Sequence, residues 1–367
     1  MNKKLIAIGI AAALAVPFTA AQAGVEVYGK IRTSLDFNNN NDGNSSNTKD
    51  NMSLSSNASR LGFKGDEDLG NGLTAMWQLE MTANFDGGDS TSPTAFGSER
   101  MTYIGVGGGF GTVLAGRLDT PYKSSTDKYD IFVDTKADFN GIMGNVDQNA
   151  ALYDLRTNNT VAYITPNMSG FSGKLAYVMP STITGSDNLQ QTKAQNKQDA
   201  YDIGVGYDMG PLSLIADYIT LARADAAVGG AGNKDLTAWK VGGSYTIMDA
   251  TTLALIYETA DAAVVSGSVK SRAAYYFAAS HKMGDTTLKL AIGYADKIDS
   301  TSKTGATQSS IGVAQALTKN TEVYALYSML DNDSNGAYGM AYGPGNATVG
   351  KDESVFSVGI NHNFSSK

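Results

Sequence analysis

The residues whose types and spacing bear on chemistry in this chain are charges at period two, not nucleophiles. Lys30 and Arg32 stand two apart in VEVYGKIRTSLDF, and Arg60 and Lys64 stand four apart in SRLGFKGDEDLGNG. Each pair therefore shares one face of an extended chain. Arg100 and Arg117 follow downstream, Arg117 just before a stretch, 119–158, that carries Asp119, Asp127, Asp130, Asp134, Asp138, Asp147 and Asp154. Acid on one element facing base on another makes a transverse field, which orients dipolar solutes and sorts ions by sign. Read from the residues alone, the same charges also suit any solvated polar face.

Catalysis is poorly supplied. His281 and His362 are the only histidines and there is no Cys, and both histidines fall near one end of their segments, away from any shared outward site. A Ser–His–acid arrangement needs one of them beside a nucleophile. No catalytic residue, metal or cofactor is expected. Asp331 to Gly336 (DNDSNG) opens like a calcium loop, but its twelfth position is Tyr342 rather than Glu and no helices flank it. GVGGGFG (105–111) lies between two strands, without the helix N-terminus a phosphate cradle needs; it reads as a tight turn.

The elements that must hold these charges are strands. In Ser59 to Thr82, Leu61 and Phe63 alternate with Arg60, Gly62 and Lys64, and Leu73, Ala75, Trp77, Leu79 and Met81 alternate with Thr74, Met76, Gln78, Glu80 and Thr82. Asp66 to Gly72 (DEDLGNG) reads as the turn between them. Gly24 to Phe37 alternates likewise, with Lys30 and Arg32 on its polar face. Continued along the chain, the pattern predicts sixteen strands. Their connections alternate in length. Asp66 to Gly72, 108–110, 167–170, 209–210, 248–250, Gly284 and Lys319 are short; 38–51, 84–98, 119–158, 180–199, 222–235, 261–271, 297–306 and 331–352 are long.

A soluble sandwich has no reason to alternate in this way. A membrane barrel does, with short turns at one rim and long loops at the other. In hydrocarbon every backbone polar group must be paired internally, which for strands requires closure, and an even count lets the first strand meet the last. The apolar alternates then face lipid and the polar ones face water. Tyr28, Tyr103, Tyr207 and Tyr294, near strand ends, are expected in aromatic girdles.

Composition agrees with an exported barrel. Residues 1–23 have a basic start (Lys3, Lys4), an apolar run from Leu5 to Val16 and Ala21-Gln22-Ala23, the pattern of a signal peptide cleaved after Ala23. The net charge is −8, about −10 without Lys3 and Lys4. An acidic chain with no basic patch is not expected to bind nucleic acid. After residue 23 no apolar run reaches the roughly 18 residues of a helical span.

The segments VEVYGKIRTSLDF (25–37), SRLGFKGDEDLGNGLTAMWQLE (59–80), RMTYIGVGGGFGTVLAGRLDTPY (100–122), NNTVAYITPNMSGFSGKLAYV (158–178) and VGINHNF (358–364) resemble the general diffusion porins of Gram-negative bacteria, in particular neisserial and other β-proteobacterial porins. The resemblance implies an all-β fold: a transmembrane antiparallel barrel of sixteen strands, with a long third loop folded into the lumen. It implies a single barrel domain over 24–367, with 119–158 as a constriction loop. It also implies a homotrimer in the outer membrane, in contact with lipid and lipopolysaccharide, passing water, ions and small hydrophilic solutes passively. On that reading Lys30, Arg32, Arg60, Lys64, Arg100 and Arg117 form a basic wall facing Asp119, Asp127, Asp130, Asp134 and Asp138 on the loop. A substrate-specific channel for sugars or anions is the first rival; an enzyme or adhesin built on a barrel is the second. Proteins of this family usually end on the aromatic residue of the last strand, whereas here Ser365-Ser366-Lys367 follow Phe364.

Overall fold

Alternating segments of this kind satisfy their backbone only by pairing on both sides, and in the structure they do so in a closed ring. The structure is a computed structural model that describes residues 24–40, 51–89, 92–147, 150–151, 153–179, 199–222, 235–265, 268–299, 301–342 and 348–367. The expected signal segment, 1–23, lies outside the described residues. The strands are β1 (Gly24–Asn40), β2 (Asn51–Ser56 continuing as Arg60–Gly70), β3 (Leu73–Ala83), β4 (Phe96–Gly108), β5 (Gly111–Asp119), β6 (Arg156–Ile164), β7 (Phe171–Val178) and β8 (Ala200–Met209). They continue as β9 (Leu212–Leu221), β10 (Leu236–Ile247), β11 (Thr251–Val265), β12 (Ser268–Met283), β13 (Thr286–Ala295), β14 (Ala306–Thr318), β15 (Thr321–Asn332) and β16 (Glu353–Ser365). All pair antiparallel with their chain neighbours, and β1 pairs with β2 on one side and with β16 on the other, Tyr28↔Ser365 to Asn40↔Glu353. The barrel sheet thus closes on itself among the described residues.

The two faces separate as the alternation requires. Leu255, Ile203, Leu290, Ile311 and Val358 are exposed on the outside, and so are Trp77 and Leu79. This apolar band runs round the barrel at the depth of the hydrocarbon. The inward alternates, such as Asp202, Asp217, Lys240, Glu258 and Arg272, are buried. The aromatic girdle is in part other than expected. Tyr294 is outward, beside Tyr275, and Tyr207 packs on Phe171 at 4.4 Å between ring centroids. Tyr28 and Tyr103 are inside, giving hydrogen bonds to Glu80 (2.8 Å) and Gln78 (3.3 Å). A phenol suits a wet lumen as well as a headgroup layer, so the strand's phase, not the residue type, decides its side.

The turns also refine the reading. Asp66 to Gly70 belongs to β2, pairing to Gly70↔Leu73, so the turn shrinks to Asn71-Gly72. Positive φ at Gly70, Asn71 and Gly72 makes the tight reversal, and Asp68 accepts the Gly70 amide at 2.8 Å. The acidic residues stay in register because this end projects into water. Likewise β11 and β12 extend through most of the expected loop 261–271, pairing as far as Val265↔Ser268. At the chain's end, the tail carries the ladder past Phe364, with the Ser366 amide bonded to Val27 O at 2.9 Å.

Candidate functional site

β2 is bent where it matters most. Lys30 pairs with Arg60 and Thr33 with Ser56, so Asn57 to Ser59 insert one extra residue opposite Ile31 and Arg32. This is a β-bulge, with Ala58 at φ 52°. The Ser59 hydroxyl donates to Arg32 O and accepts from Arg32 N, both at 2.9 Å. The bulge thus fixes the backbone under two arginines that both turn toward the lumen.

The stretch 119–158 supplies the opposing surface. Thr120 caps α1 (Pro121–Thr126), which leads into one turn of 3-10 helix, Asp127–Tyr129, with a second at Phe139–Gly141. The segment is packed into the barrel. Tyr129, Phe132, Phe139, Ile142 and Met143 join Ile256, Tyr276 and Leu326 of the wall in one apolar core. Fully burying side chains of this size stabilises by about 1.5–3 kcal/mol each. Buried polar groups fix the position. Glu258 accepts from the Gly144 amide (2.9 Å) and the Tyr122 hydroxyl (3.0 Å) and pairs with Arg272 at 3.0 Å; Arg272 also donates to Ile142 O at 2.8 Å. Lys240 holds Asp154 (3.1 Å) and the Thr126 hydroxyl (2.9 Å). Asp202 accepts the Tyr122 amide at 2.8 Å.

Between this loop and β1–β6 lies a cavity of 540 Å³. Asp134 sits at its centre, its Oδ2 3.1 Å from both Arg32 Nε and Arg60 Nη2. Glu80 bridges Arg100 (2.8 Å) and Arg60 (4.0 Å) and accepts from Tyr28. Arg156 pairs with Asp119 at 2.9 Å. Lys30, Lys64, Lys123, Asp127 and Asp138 complete the charged lining, and Tyr342 reaches in from the connection before β16, its hydroxyl 3.4 Å from Asp134 Oδ1. Burial pushes the Asp138 carboxyl well above the usual range, and nearby Asp130 adds to this. Burial opposes the charge of Lys123, but Asp154, Asp119, Asp127 and Asp138 outweigh it and raise its pKa. The lining therefore holds six cationic side chains against five acidic ones.

Of the residues named from sequence, Lys30, Arg60, Lys64, Arg100, Asp119, Asp127, Asp134 and Asp138 come together round this cavity, and Arg32 reaches it through Asp134. Lys64 stands toward its edge, half exposed and paired with Glu26 at 3.2 Å. Two residues lie elsewhere. Arg117 pairs with Thr102, in phase with the outward Ala115 and Val113, and donates to Glu99 O and Asn158 Oδ1 at the long-loop rim. Asp130 faces away from the opening. It is buried against the wall and accepts from Phe132 N, Phe139 N and the Tyr276 hydroxyl. The reading from sequence missed Glu80, Arg156, Lys123 and Tyr342 as site residues. Hairpin register places Glu80 beside Gly62, two residues from Arg60, which is a signal for it; Arg156 pairs with Asp119 where the loop's two ends meet. Nothing in sequence marks Tyr342.

The other motifs are accounted for locally. Asn332 binds Tyr338 and Lys351, and Asp333 accepts the Gly305 amide, so the DNDSNG stretch clamps neighbouring loops together. Gly105 to Gly108 lie in β4, Gly109-Phe110 form the turn, and Gly111 opens β5. His281 and His362 bond Thr251 (2.8 Å) and Thr321 (2.9 Å) near the short-turn rim, far apart in the sheet. Among the described residues no group of three or more His, Cys, Asp or Glu side chains is placed to hold a metal.

The fold recurs in known proteins. The family described as Gram-negative porin matches residues 7–335. Outer membrane porin protein 32 of Delftia acidovorans is 30% identical over 99% of this chain and 100% of its own length. Major outer membrane protein P.IB of Neisseria meningitidis is 33% identical over 57% of this chain and 56% of its own. An anion-selective porin from Comamonas acidovorans superposes with a TM-score of 0.77 at 26% identity, covering 94% of this chain and all of that one. Closed sixteen-strand barrel, water-facing charges and packed third loop find their explanation together: this chain belongs to the Gram-negative porin family.

Proposed function

We propose that this outer-membrane porin passes small hydrophilic solutes and ions through a constriction at the Asp134–Arg60 eyelet, with a preference for anions. The observation that carries the proposal is the lining itself: six cationic side chains against five acidic ones surround a 540 Å³ passage, and Asp134, Glu80 and Asp119 are each held by arginine. Lys30 lines the passage with no carboxylate within 4.0 Å among the described residues. Over a gap comparable to the Debye length of about 8 Å at physiological salt, such a field is not screened out. The solved Comamonas porin, described as anion-selective, supports the same sign. Channels of this class are usually non-enzymatic, and two distant histidines suit that.

The finer features of assembly belong to the same reading. Residues 1–23 act as a signal peptide cleaved after Ala23, 119–158 is the constriction loop, and three copies associate in lipid and lipopolysaccharide. Tyr177–Tyr201 and Trp239–Tyr257–Tyr275–Tyr294 form outward aromatic contacts on β7–β8 and β10–β13, and they suit the headgroup layer round the assembly.

Reversal potential across a planar bilayer in a KCl gradient tests the proposal. The wild-type channel should reverse on the anion side, and Arg60→Ser with Arg100→Ser should move it toward cations. A cation-selective wild type, or a double variant that does not move, would overturn it.

A further inference from the structure

On the short-turn side of the loop, residues 131–135 stand off from the wall of β13–β16 and leave a second chamber of 200 Å³. It is separate from the eyelet, although Val133 lines both. Its charged and amide groups are Lys289 on β13, Glu322 on β15, Asn361 on β16 and Arg32, with the hydroxyls of Thr135 and Tyr324 also in the lining; its apolar side is Phe132 and Leu326. Gly312 makes the space possible, since a side chain there would strike the Phe132 ring.

The charges are not used up internally. Lys289 has no carboxylate within 4.0 Å among the described residues, and Glu322 is the acid that acts on it most strongly. The Lys289 ammonium lies 6.0 Å over the Phe132 ring. Asn361 donates its Nδ2 to Glu322 Oε1 at 3.2 Å. That bond fixes the amide's orientation, because a carboxylate only accepts. It leaves Asn361 Oδ1 buried with no partner among the described residues. The chamber thus offers one ammonium, one carboxylate and one unpaired acceptor beside an apolar surface. A simple anion would meet Glu322, and a simple cation would meet Lys289 and Arg32.

We infer that this chamber binds zwitterionic α-amino acids with a small apolar side chain and slows their passage. The ligand carboxylate lies against Lys289, its ammonium against Glu322 and Asn361 Oδ1, and its side chain against Phe132 and Leu326. The room agrees: at about 30 Å³ for each water, the chamber takes the place of roughly six or seven waters, near the size of valine. The inference goes beyond ion selectivity and does not depend on the sign of the eyelet.

The test is saturable block of the KCl current through single wild-type channels by L-valine, compared with N-acetylvaline, which lacks the ammonium, and valinamide, which lacks the carboxylate. Valine should reach half-block at about tenfold lower concentration than either, the effect of one charge-assisted contact. Lys289→Gln and Glu322→Gln should each raise the half-blocking concentration of valine about tenfold and leave KCl conductance within about twofold, since neither residue lines the eyelet. Equal block by valine and its two derivatives would overturn the inference, as would variants that bind valine like the wild type. If a variant does not assemble, the three-ligand comparison on the wild-type channel decides alone.

Discussion

Asp134 and Asp130 are four residues apart in one loop, and they do opposite work. Asp134 bridges two arginines at the opening, and Asp130 takes three hydrogen bonds in the wall. Asp134→Asn should therefore move the reversal potential further toward anions, because it leaves the charges of Arg32 and Arg60 facing the opening. Asp130→Ala should leave selectivity nearly unchanged but loosen the loop, because each buried donor left unpaired costs about 1–3 kcal/mol; trypsin cleavage at the loop lysines would report it. Protons act on the same groups. Burial raises the Asp130 carboxyl from 3.8 to about 6, outweighing the bonds from Phe132, Phe139 and Tyr276. A raised folded-state pKa means that its contribution to docking is complete below 3.8 and lost as pH rises through about 6. Loop amides should thus exchange more slowly at acid pH than at neutral pH, after correction for intrinsic rates. Faster exchange in acid would contradict this sign.

At the scale of elements, the loop is held from behind by ions that no solute meets. Glu258 and Arg272 are fully buried. Removing one partner of such a pair leaves an uncompensated charge and costs about 3–5 kcal/mol. Glu258→Ala should release the loop from β11 and β12, giving a noisier single-channel current with the barrel still assembled. A quiet current of wild-type size would place the anchor elsewhere. The bulge in β2 makes a separate demand. Ala58 occupies left-handed backbone, where any side chain costs about 1–2 kcal/mol and a β-branched one more. Ala58→Gly should raise the unfolding temperature and Ala58→Val should lower it, as read by heat-modified electrophoretic mobility.

For the whole molecule, what matters is which medium each face meets. Leu255, 58% exposed on the outside of β11, belongs to the lipid-facing band. Leu255→Arg should cost about 2–4 kcal/mol of barrel stability if it lies near mid-depth, whereas Gln78→Arg, in the lumen, should cost little and change conductance instead. Equal costs at the two sites would deny the inside-out arrangement. Extraction in mild detergent should give a heat-sensitive trimer on native electrophoresis; a monomer under every mild condition would remove the association proposal.

The sequence by itself determined the barrel. Strand alternation has a period of two and hydrocarbon admits no unpaired backbone, so phase, strand number and rim assignment follow from local pattern plus one physical constraint. It placed Lys30, Arg32 and Arg60 inside for the same reason. Its reach ended where alternation ends. Within 119–158 there is no period to phase, so sequence alone did not separate Asp134 at the opening from Asp130 in the wall; packing of Phe132 and Phe139 against Tyr276 decided that. Arg117 went astray at the rim, where polar side chains on the outward phase meet headgroups and water instead of hydrocarbon. Glu80 with Arg100, Arg156 with Asp119 and Tyr342 with Asp134 join residues 20, 37 and 208 positions apart. The first two need only neighbouring strands to pair, but the contact of Tyr342 with Asp134 exists only once the sheet has closed, because closure brings distant segments to face one another across a single lumen.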